Sequence, residues 1–521
     1  MTHVSNIGAI ELAVFSGRLN SICEEMGYVL QRSALSPNIK DRLDFSCAFF
    51  DKQGRISAQA AHIPVHLGSM AYAMADLVEL FDWHPGDVVV LNDPFMGGTH
   101  LPDVTVISPF FFQGILLGFL ANRAHHANIG SKFPGSMPLS SSLREEGVLI
   151  APAKLFDRGE LVESVMRLIA SIDPVSMDSR DLPGDFQAQL SANNVGIKRL
   201  REWLSNIADG AVYLVDGLGA LNAYGSQLTA LALRKIPCGS ATFTDYMDGD
   251  GFDGHRIPIT VSARVDGDGV SLDFEGTSKQ VKGNINCPIS VCAAAVYYVF
   301  ICLLPPYVPR CHGVFQNISI RAPKGSLVNA CQGAAVAAGN VETSMRIVDV
   351  ILGALAKLGV PVPAASHGSM NNIALGGRSQ GRHWDYYETV GGGMGGGLRF
   401  AGLDAVQCHM TNTRNTPVES LEIHYPLRIV RYAIRPRSGG DGLNRGGDGI
   451  ERIYQCLEPA SVTVLSERRV SPPWGLNGGK EGLPGQNRIN NEPFRGKQYI
   501  QASVGDCISL LTPGGGGWGQ S

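Results

Sequence analysis

HLPDVTVISPFFFQGILLGFLANRAHH, residues 100–126, holds two apolar, β-prone runs either side of Gln113-Gly114. Runs of this composition punctuated by a short glycine-containing turn predict a β-hairpin over 104–122. Residues equally far from the turn centre then face each other. Asp103 falls opposite Ala124, and Pro102 opposite His125. His100, Asp103 and the pair His125-His126 therefore gather at the open end of one hairpin. Two imidazoles and a carboxylate converging from short loops suit a borderline divalent metal, and three protein ligands leave a position open. Such a metal lowers the pKa of bound water and polarises a carbonyl. Gly97 and Gly98, just upstream in NDPFMGGTH, let the backbone fold tightly beside it. A His-His pair after a strand also serves simply as a hydrogen-bonding pair, so the motif alone leaves both readings open.

Other polar residues lie within reach of that end. Asp41 and Asp44 sit in NIKDRLDFS, where an ion pair with Lys40 or Arg42 is the competing fate. His62 and His66 in AHIPVHLGSM either line the same pocket or pack at the start of a helix. Glu145 and Glu146, in LREEG, follow the histidine pair closely and read equally as surface charges.

Working outward, 10–33 shows helical periodicity through Leu12, Phe15, Leu19, Ile22, Met26 and Leu30. A strand is expected over 45–50 and a helix over 69–81, then further β-prone runs to 121. A long helical stretch covers 185–236. The segment 243–274 alternates and is rich in Asp-Gly turns, so it reads as antiparallel sheet. Helices are expected over 288–304 and 342–358, and short Gly-rich strands from about 365. The predicted fold is α+β, with mixed, largely antiparallel sheets and long helices in one interlocked, multi-lobed body. Its expected divisions are a metal-site region (1–180), a helical segment (181–240), a mixed sheet and helix region (241–365) and a Gly-rich β region (366–521).

The 521 residues are 44% hydrophobic and 17% charged, with net charge −4. That leaves ample material for a core and no basic stripe for nucleic acid. The apolar run 289–308 is broken by Pro305 and Pro306 and predicts a buried helix rather than a membrane span. No secretory leader pattern opens the chain. Its 11 cysteines are unpatterned, so reduced thiols and a cytoplasmic location are expected. Glycine, with 63 residues, is the outlier. It clusters at 391–397, 439–449 and 514–519, and the runs at 391–397 and 514–517 lack the Lys-Ser/Thr of a phosphate-binding loop, so they predict tight packing or a subunit contact.

SALSPNIKDRLDFSCAFFDKQGRISAQAAHIPVHLGSM, GDVVVLNDPFMGGTHLPDVTV and ANRAHHANIG together resemble the hydantoinase B/oxoprolinase family. The resemblance continues through GNINCP, AAGNVETSMRIVDVILGALA, YYETVGGGMGG, MTNTRNTPVESLE, SGGDGLNRGGDGIER, PPWGLNGGKEGLPG and LTPGGGGWG, covering nearly the whole chain. It implies the metal-bearing subunit of an ATP-dependent cyclic-amide hydrolase that opens a hydantoin, 5-oxoproline or lactam ring. A hydantoinase A-type partner would bind ATP and Mg and phosphorylate the substrate, in a heterotetramer or larger hetero-oligomer. Carried over, the metal ligands are His100, Asp103 and His125, with Asp41 fourth and Asp44 in reserve. The metal is Zn, Mn, Fe or Co. His126, His66 and Glu146 are the candidates for proton transfer. The chain departs from the family where Asn128 and Ser131 replace the usual HHADIGG residues, which bears on hydrogen bonding near His126. It departs again at Pro309-Arg310-Cys311-His312-Gly313, and where GGMGG replaces GGMGA. The rival readings are an ATP-dependent ketone carboxylase subunit and a non-catalytic scaffold homologue.

Overall fold

The computed structural model describes residues 7–60, 63–172, 182–379 and 381–520. His62 lies outside them. The first sheet has seven strands: β1 (Phe45–Asp51), β2 (Ile56–Gln59), β3 (Val88–Leu91), β4 (Asp103–Phe112), β5 (Ile115–His125), β6 (Ala153–Asp157) and β7 (Glu160–Leu161). They run β2-β1-β5-β4-β3-β6-β7, every neighbour antiparallel. Helices cover both faces, which explains why β1 reads as an unbroken apolar run rather than an alternating one.

On one face lies α1 (Ala9–Ser33), whose Phe15, Leu19, Ile22, Met26 and Leu30 are buried against Phe45, Phe49 and Leu120. After the short α2 (Pro37–Lys40), α3 (Pro64–Glu79) covers the other face, packing Met70, Met74 and Leu77 against Phe50, Ile107 and Phe119. It begins five residues before the expected Ser69 because Pro64 starts the first turn, where a missing N–H costs nothing.

A short α4 (Glu163–Ala170) follows. The expected single stretch over 185–236 is two helices, α5 (Gly184–Ser205) and α6 (Gly210–Leu233), broken at 206–209. Next come β8 (Gly239–Met247), β9 (Ile257–Val265), β10 (Val270–Asp273) and, beyond α7 (Ile289–Leu303), β11 (Ile318–Arg321). The β10–β11 pairing is parallel and the others antiparallel, giving the mixed sheet expected. The later α8 (Ser344–Lys357) packs against this sheet and α7 packs between α8 and α3, and no helix among the described residues is long and apolar enough to cross a membrane.

The C-terminal part adds two antiparallel sheets. One contains β12 (Asn372–Ser379), β13 (Arg382–Glu388), β16 (Ala460–Leu465) and β19 (Lys497–Ala502). The other contains β14 (Leu427–Arg435), β15 (Gly449–Cys456), β17 (Gln486–Ile489), β18 (Glu492–Phe494) and β20 (Cys507–Leu511). The short α9 (Val418–His424) precedes β14. The architecture is α+β, as the sequence predicts. All 11 cysteines are free thiols, most of them buried.

Candidate metal centre

The hairpin turns at Gln113 (φ 51°) and Gly114 (φ 79°), two left-handed residues that match the twist of paired strands. Its pairing starts at Phe112↔Ile115, as the turn dictates, but a β-bulge between Phe110 and Phe111 shifts the register by one. Asp103 therefore pairs with His125, not with Ala124. The bulge sets the strand face, because side chains alternate along a strand. His125 turns toward Asp103 and His126 turns away.

Five side chains converge on the Asp103 carboxylate, Asn340 among them. His100 Nε2 lies 3.1 Å and His125 Nδ1 3.2 Å from Oδ1. His66 Nε2 lies 3.2 Å from Oδ2, and Thr99 Oγ1 donates to Oδ2 at 2.5 Å. His100, Asp103 and His125 offer ligand atoms within 4.8 Å of one another, and all three residues are buried. Burial alone would push the Asp103 carboxyl up, but His100 and His66 beside it hold it well below the usual carboxylate range. Burial opposes protonation of His100, yet the negative charge beside it on Asp103 and the Ala337 carbonyl raise its pKa overall. For His125 burial dominates and lowers it.

The supporting loop is stapled. Asn92 donates to the Leu101 and Val148 carbonyls, and its Oδ1 accepts from the Ile150 amide. Buried Arg123 bridges Thr105, Ser69 and the Gly97 carbonyl. At Gly98 any Cβ would sit 2.6 Å from the Asp93 carbonyl oxygen, so the tight fold needs glycine there.

The unpartnered atoms fit a cation. His66 Nδ1 and His125 Nε2 are buried without hydrogen-bond partners, and His100 Nε2, though close to Asp103, is not aligned for a hydrogen bond. Buried nitrogens of this kind are costly to leave unmatched. His100 is oriented by its own Nδ1, 3.2 Å from the Ala337 carbonyl, an outer contact typical of imidazole ligands. The cavity that these residues line holds only about 20 Å³.

The remaining expected residues divide clearly. Asp44 lines the cavity with His66, His100 and His125, 3.8 Å from His66 Nε2. Its carbonyl accepts from the His125 amide, which locks it alongside. Asp41 stands apart, capping the C-terminus of α2. His126 places Nε2 3.0 Å from Gln189 Oε1 and packs on Phe186, on the far side of the strand. Burial, against the pull of Asp185, Gln189 and Asp103, lowers its pKa. Asn128 bonds to Asp385, Gly130 and Ser136 rather than to His126, so the substitution there acts on a different loop.

Glu146 is one layer behind. Its Oε1 accepts from Ser140 Oγ and the Val336 and Ala337 amides, fixing the segment whose carbonyl orients His100. Burial raises its pKa to about 7 from the usual 4.5. Above pH 4.5 the unfolded chain ionises this group while the folded chain keeps it protonated, so stability falls until about pH 7 and the loss is then complete. That loss is on the order of 3 kcal/mol. Glu146→Gln keeps the accepting oxygen and should shrink the fall in unfolding free energy between pH 5 and pH 8 by about 2–3 kcal/mol, read from denaturant titrations. An unchanged pH dependence would remove Glu146 as its source.

Three contributors have no counterpart among the expected residues. Asn340 Nδ2 donates to Asp103 Oδ2 at 3.3 Å from a π-helical turn, Gly339–Thr343, that precedes α8. Tyr387 of β13 stacks on His125 at 4.8 Å and 8°, with the Arg42 guanidinium over its ring. Thr99 directly precedes His100. The Gly-rich runs pack backbone on backbone, as at Gly515, where a Cβ would meet the Met394 carbonyl oxygen at 2.1 Å.

Comparison with known proteins covers the whole molecule. The family described as Hydantoinase B/oxoprolinase matches residues 8–521. 5-Oxoprolinase 1 of Arabidopsis thaliana is 40% identical over 98% of this chain, which spans 42% of that protein. The putative B component of a D-/L-hydantoinase from a Pseudomonas species is 30% identical over 100% of this chain and 91% of its own. The crystal structure of an ATP-dependent caprolactamase from Pseudomonas jessenii superposes with a TM-score of 0.88 at 26% identity, over 99% of this chain and 92% of the other.

Proposed function

The chain belongs to the hydantoinase B/oxoprolinase family, and from that premise we propose that it is the metal-bearing subunit of an ATP-dependent cyclic-amide hydrolase. The observation that carries the reading is the buried His100–Asp103–His125 group with its unpartnered nitrogens. A hydantoinase A-type partner would supply ATP, Mg and the phosphorylation step, since the sequence has no nucleotide-binding loop of its own.

Amide hydrolysis is slow because nitrogen donates into the carbonyl. Phosphorylation of the carbonyl oxygen turns it into a leaving group and makes the carbon more electrophilic. His100, Asp103 and His125 would hold a divalent Zn, Mn, Fe or Co, with Asp44 rather than Asp41 completing the set. Bound there, such a metal supplies Lewis acidity and a nucleophilic water near neutral pH. The protein's own part is positional. Asp103 stays ionised, Ala337 fixes the His100 tautomer, and Tyr387 fixes the His125 ring. His66, between Asp44 and Asp103, is the group placed to pass a proton to the leaving nitrogen.

The division between the two acids is testable. Asp41→Asn should leave metal content and turnover within two-fold of the parent, roughly the scatter of a surface change. Asp44→Asn should lower metal affinity by about 10–100-fold, as loss of a supporting carboxylate does. The reversed pattern would return the role to Asp41. The activity itself is tested by copurifying the chain with its partner and following ATP-coupled loss of cyclic amides and ketones, with and without bicarbonate. Bicarbonate-independent ring opening is the expected result. Turnover restricted to a ketone plus bicarbonate would overturn the hydrolase reading and leave the metal assignment standing.

A further inference from the structure

A second cavity, of about 270 Å³, lies one side-chain layer from the metal centre. Its walls are Leu67 and Gly68 of α3, Tyr297, Tyr298 and Ile301 of α7, and Phe315. Two of its boundaries are shared with the metal cavity. Along the start of α3, Val65 and His66 face the metal cavity, while Pro64 and Leu67 face this one. Along the segment before α9, Thr411 and Thr413 line the metal cavity and Asn412 lines this one. The cleft is held open by stiff parts. Tyr297 stacks on Phe315 at 4.0 Å, and α3 and α7 touch so closely that a Cβ at Gly68 would lie 2.5 Å from Ala294 Cα.

The lining is mostly apolar and aromatic, with Gln59 and Asn412 as neutral polar members and one charged residue. Arg310 adds a guanidinium that is exposed to solvent and has no hydrogen-bond or ion-pair partner among the described residues. Among the described residues no carboxylate lines the cleft. A mostly apolar pocket with a few placed polar groups is the usual design of a small-molecule site. An unpaired guanidinium selects a carboxylate by charge-assisted, two-point hydrogen bonding.

The geometry points to a binding site for a small monocarboxylate with an apolar body, its carboxylate on Arg310 and its chain or ring between Tyr297, Tyr298 and Ile301. Ring opening of a lactam creates a carboxylate at one end and an amine at the other, so the reaction proposed above would supply the carboxylate this site takes on a chain that also carries an amino group; only that link to a source rests on the cyclic-amide reading.

The test is calorimetric titration of the full, metal-loaded chain with hexanoate and with hexanamide, its neutral counterpart. Hexanoate should bind about ten-fold or more tightly than hexanamide, the worth of one charge-assisted contact. Arg310→Gln, an exposed change that leaves the core alone, should remove that preference and leave hexanamide binding unchanged. Ile301→Trp should fill the cleft and abolish binding of both. Equal affinity for the two probes, no saturable binding, or hexanoate binding untouched by Arg310→Gln would overturn the site. None of these readouts involves ATP or ring opening. Failure here therefore leaves the hydrolase reading intact, and failure of lactam turnover leaves this site intact.

Discussion

Asp103→Asn should strip the protein of its metal and its turnover while leaving it folded. Bound metal should drop from about one equivalent to less than a tenth, and ATP-driven ring opening by roughly 1000-fold or more, about 4 kcal/mol of lost transition-state stabilisation. The reason is the number of groups that depend on one carboxylate. Oδ1 serves His100 and His125, and Oδ2 serves Thr99, Asn340 and His66. An amide of the same shape removes the negative charge that balances His100. It also places an NH₂ against Thr99 and Asn340, which donate, or against the histidines. Burial makes either mismatch expensive, about 1–3 kcal/mol per unsatisfied group. The first sheet is held by α1 and α3, so near-parent circular dichroism is expected with a modest fall in Tm. Elemental analysis beside the turnover assay checks the point. Full metal content with full activity in this variant would remove the centre from the mechanism.

How much of this was legible in the sequence follows from how locally each feature is encoded. The turn at Gln113-Gly114 is local, and it brings the HLPD and HH segments to one place. The bulge that decides between Ala124 and His125 is not local. It depends on how β5 meets both β4 and β1, and its one mark in FFFQGILLG is Gly118, which pairs with Phe110 at the bulge and, as a lone strand glycine, fits close backbone approach equally well. The same shift turns His126 outward and so separates two histidines that the sequence presents as equals. Asp41 and Asp44 are three residues apart, and their sorting depends on a short helix followed by Leu43 in a left-handed conformation (φ 58°). Asn340 and Tyr387 reach Asp103 and His125 from more than 230 residues away. Their segments, AAGNVETSMR and YYETVGGG, carry the family resemblance but no spacing that assigns them a role. Long helices fare better, since the periodicity of α1 is a property of α1 alone.

The glycine runs carry the second large prediction, and it concerns stability. Gly393→Ala should prevent soluble folding, or lower Tm by well over 10 °C. Ordinary overpacking costs about 1–3 kcal/mol when side chains can give way. Here they cannot, because the atoms in the way are backbone on two sides. A Cβ at 393 would lie 1.9 Å from the Gly447 carbonyl oxygen and 2.4 Å from the Gly515 amide nitrogen. Those contacts tie the three runs together. The Gly447 amide donates to the Met394 carbonyl, Gly515 to Gly447, and Gly393 to Pro513. One methyl group therefore pushes all three layers apart and breaks hydrogen bonds in each. Gly219→Ala is the matched control. It lies in α6 with open space where its Cβ would go, so alanine should be neutral or stabilise by about 0.5–1 kcal/mol through helix propensity. If Gly393→Ala instead melted like the parent, the layers would have to separate freely, and glycine at these positions would need another reason. The expected contrast makes close backbone approach the sufficient cause of the glycine excess, with no phosphate needed to explain it.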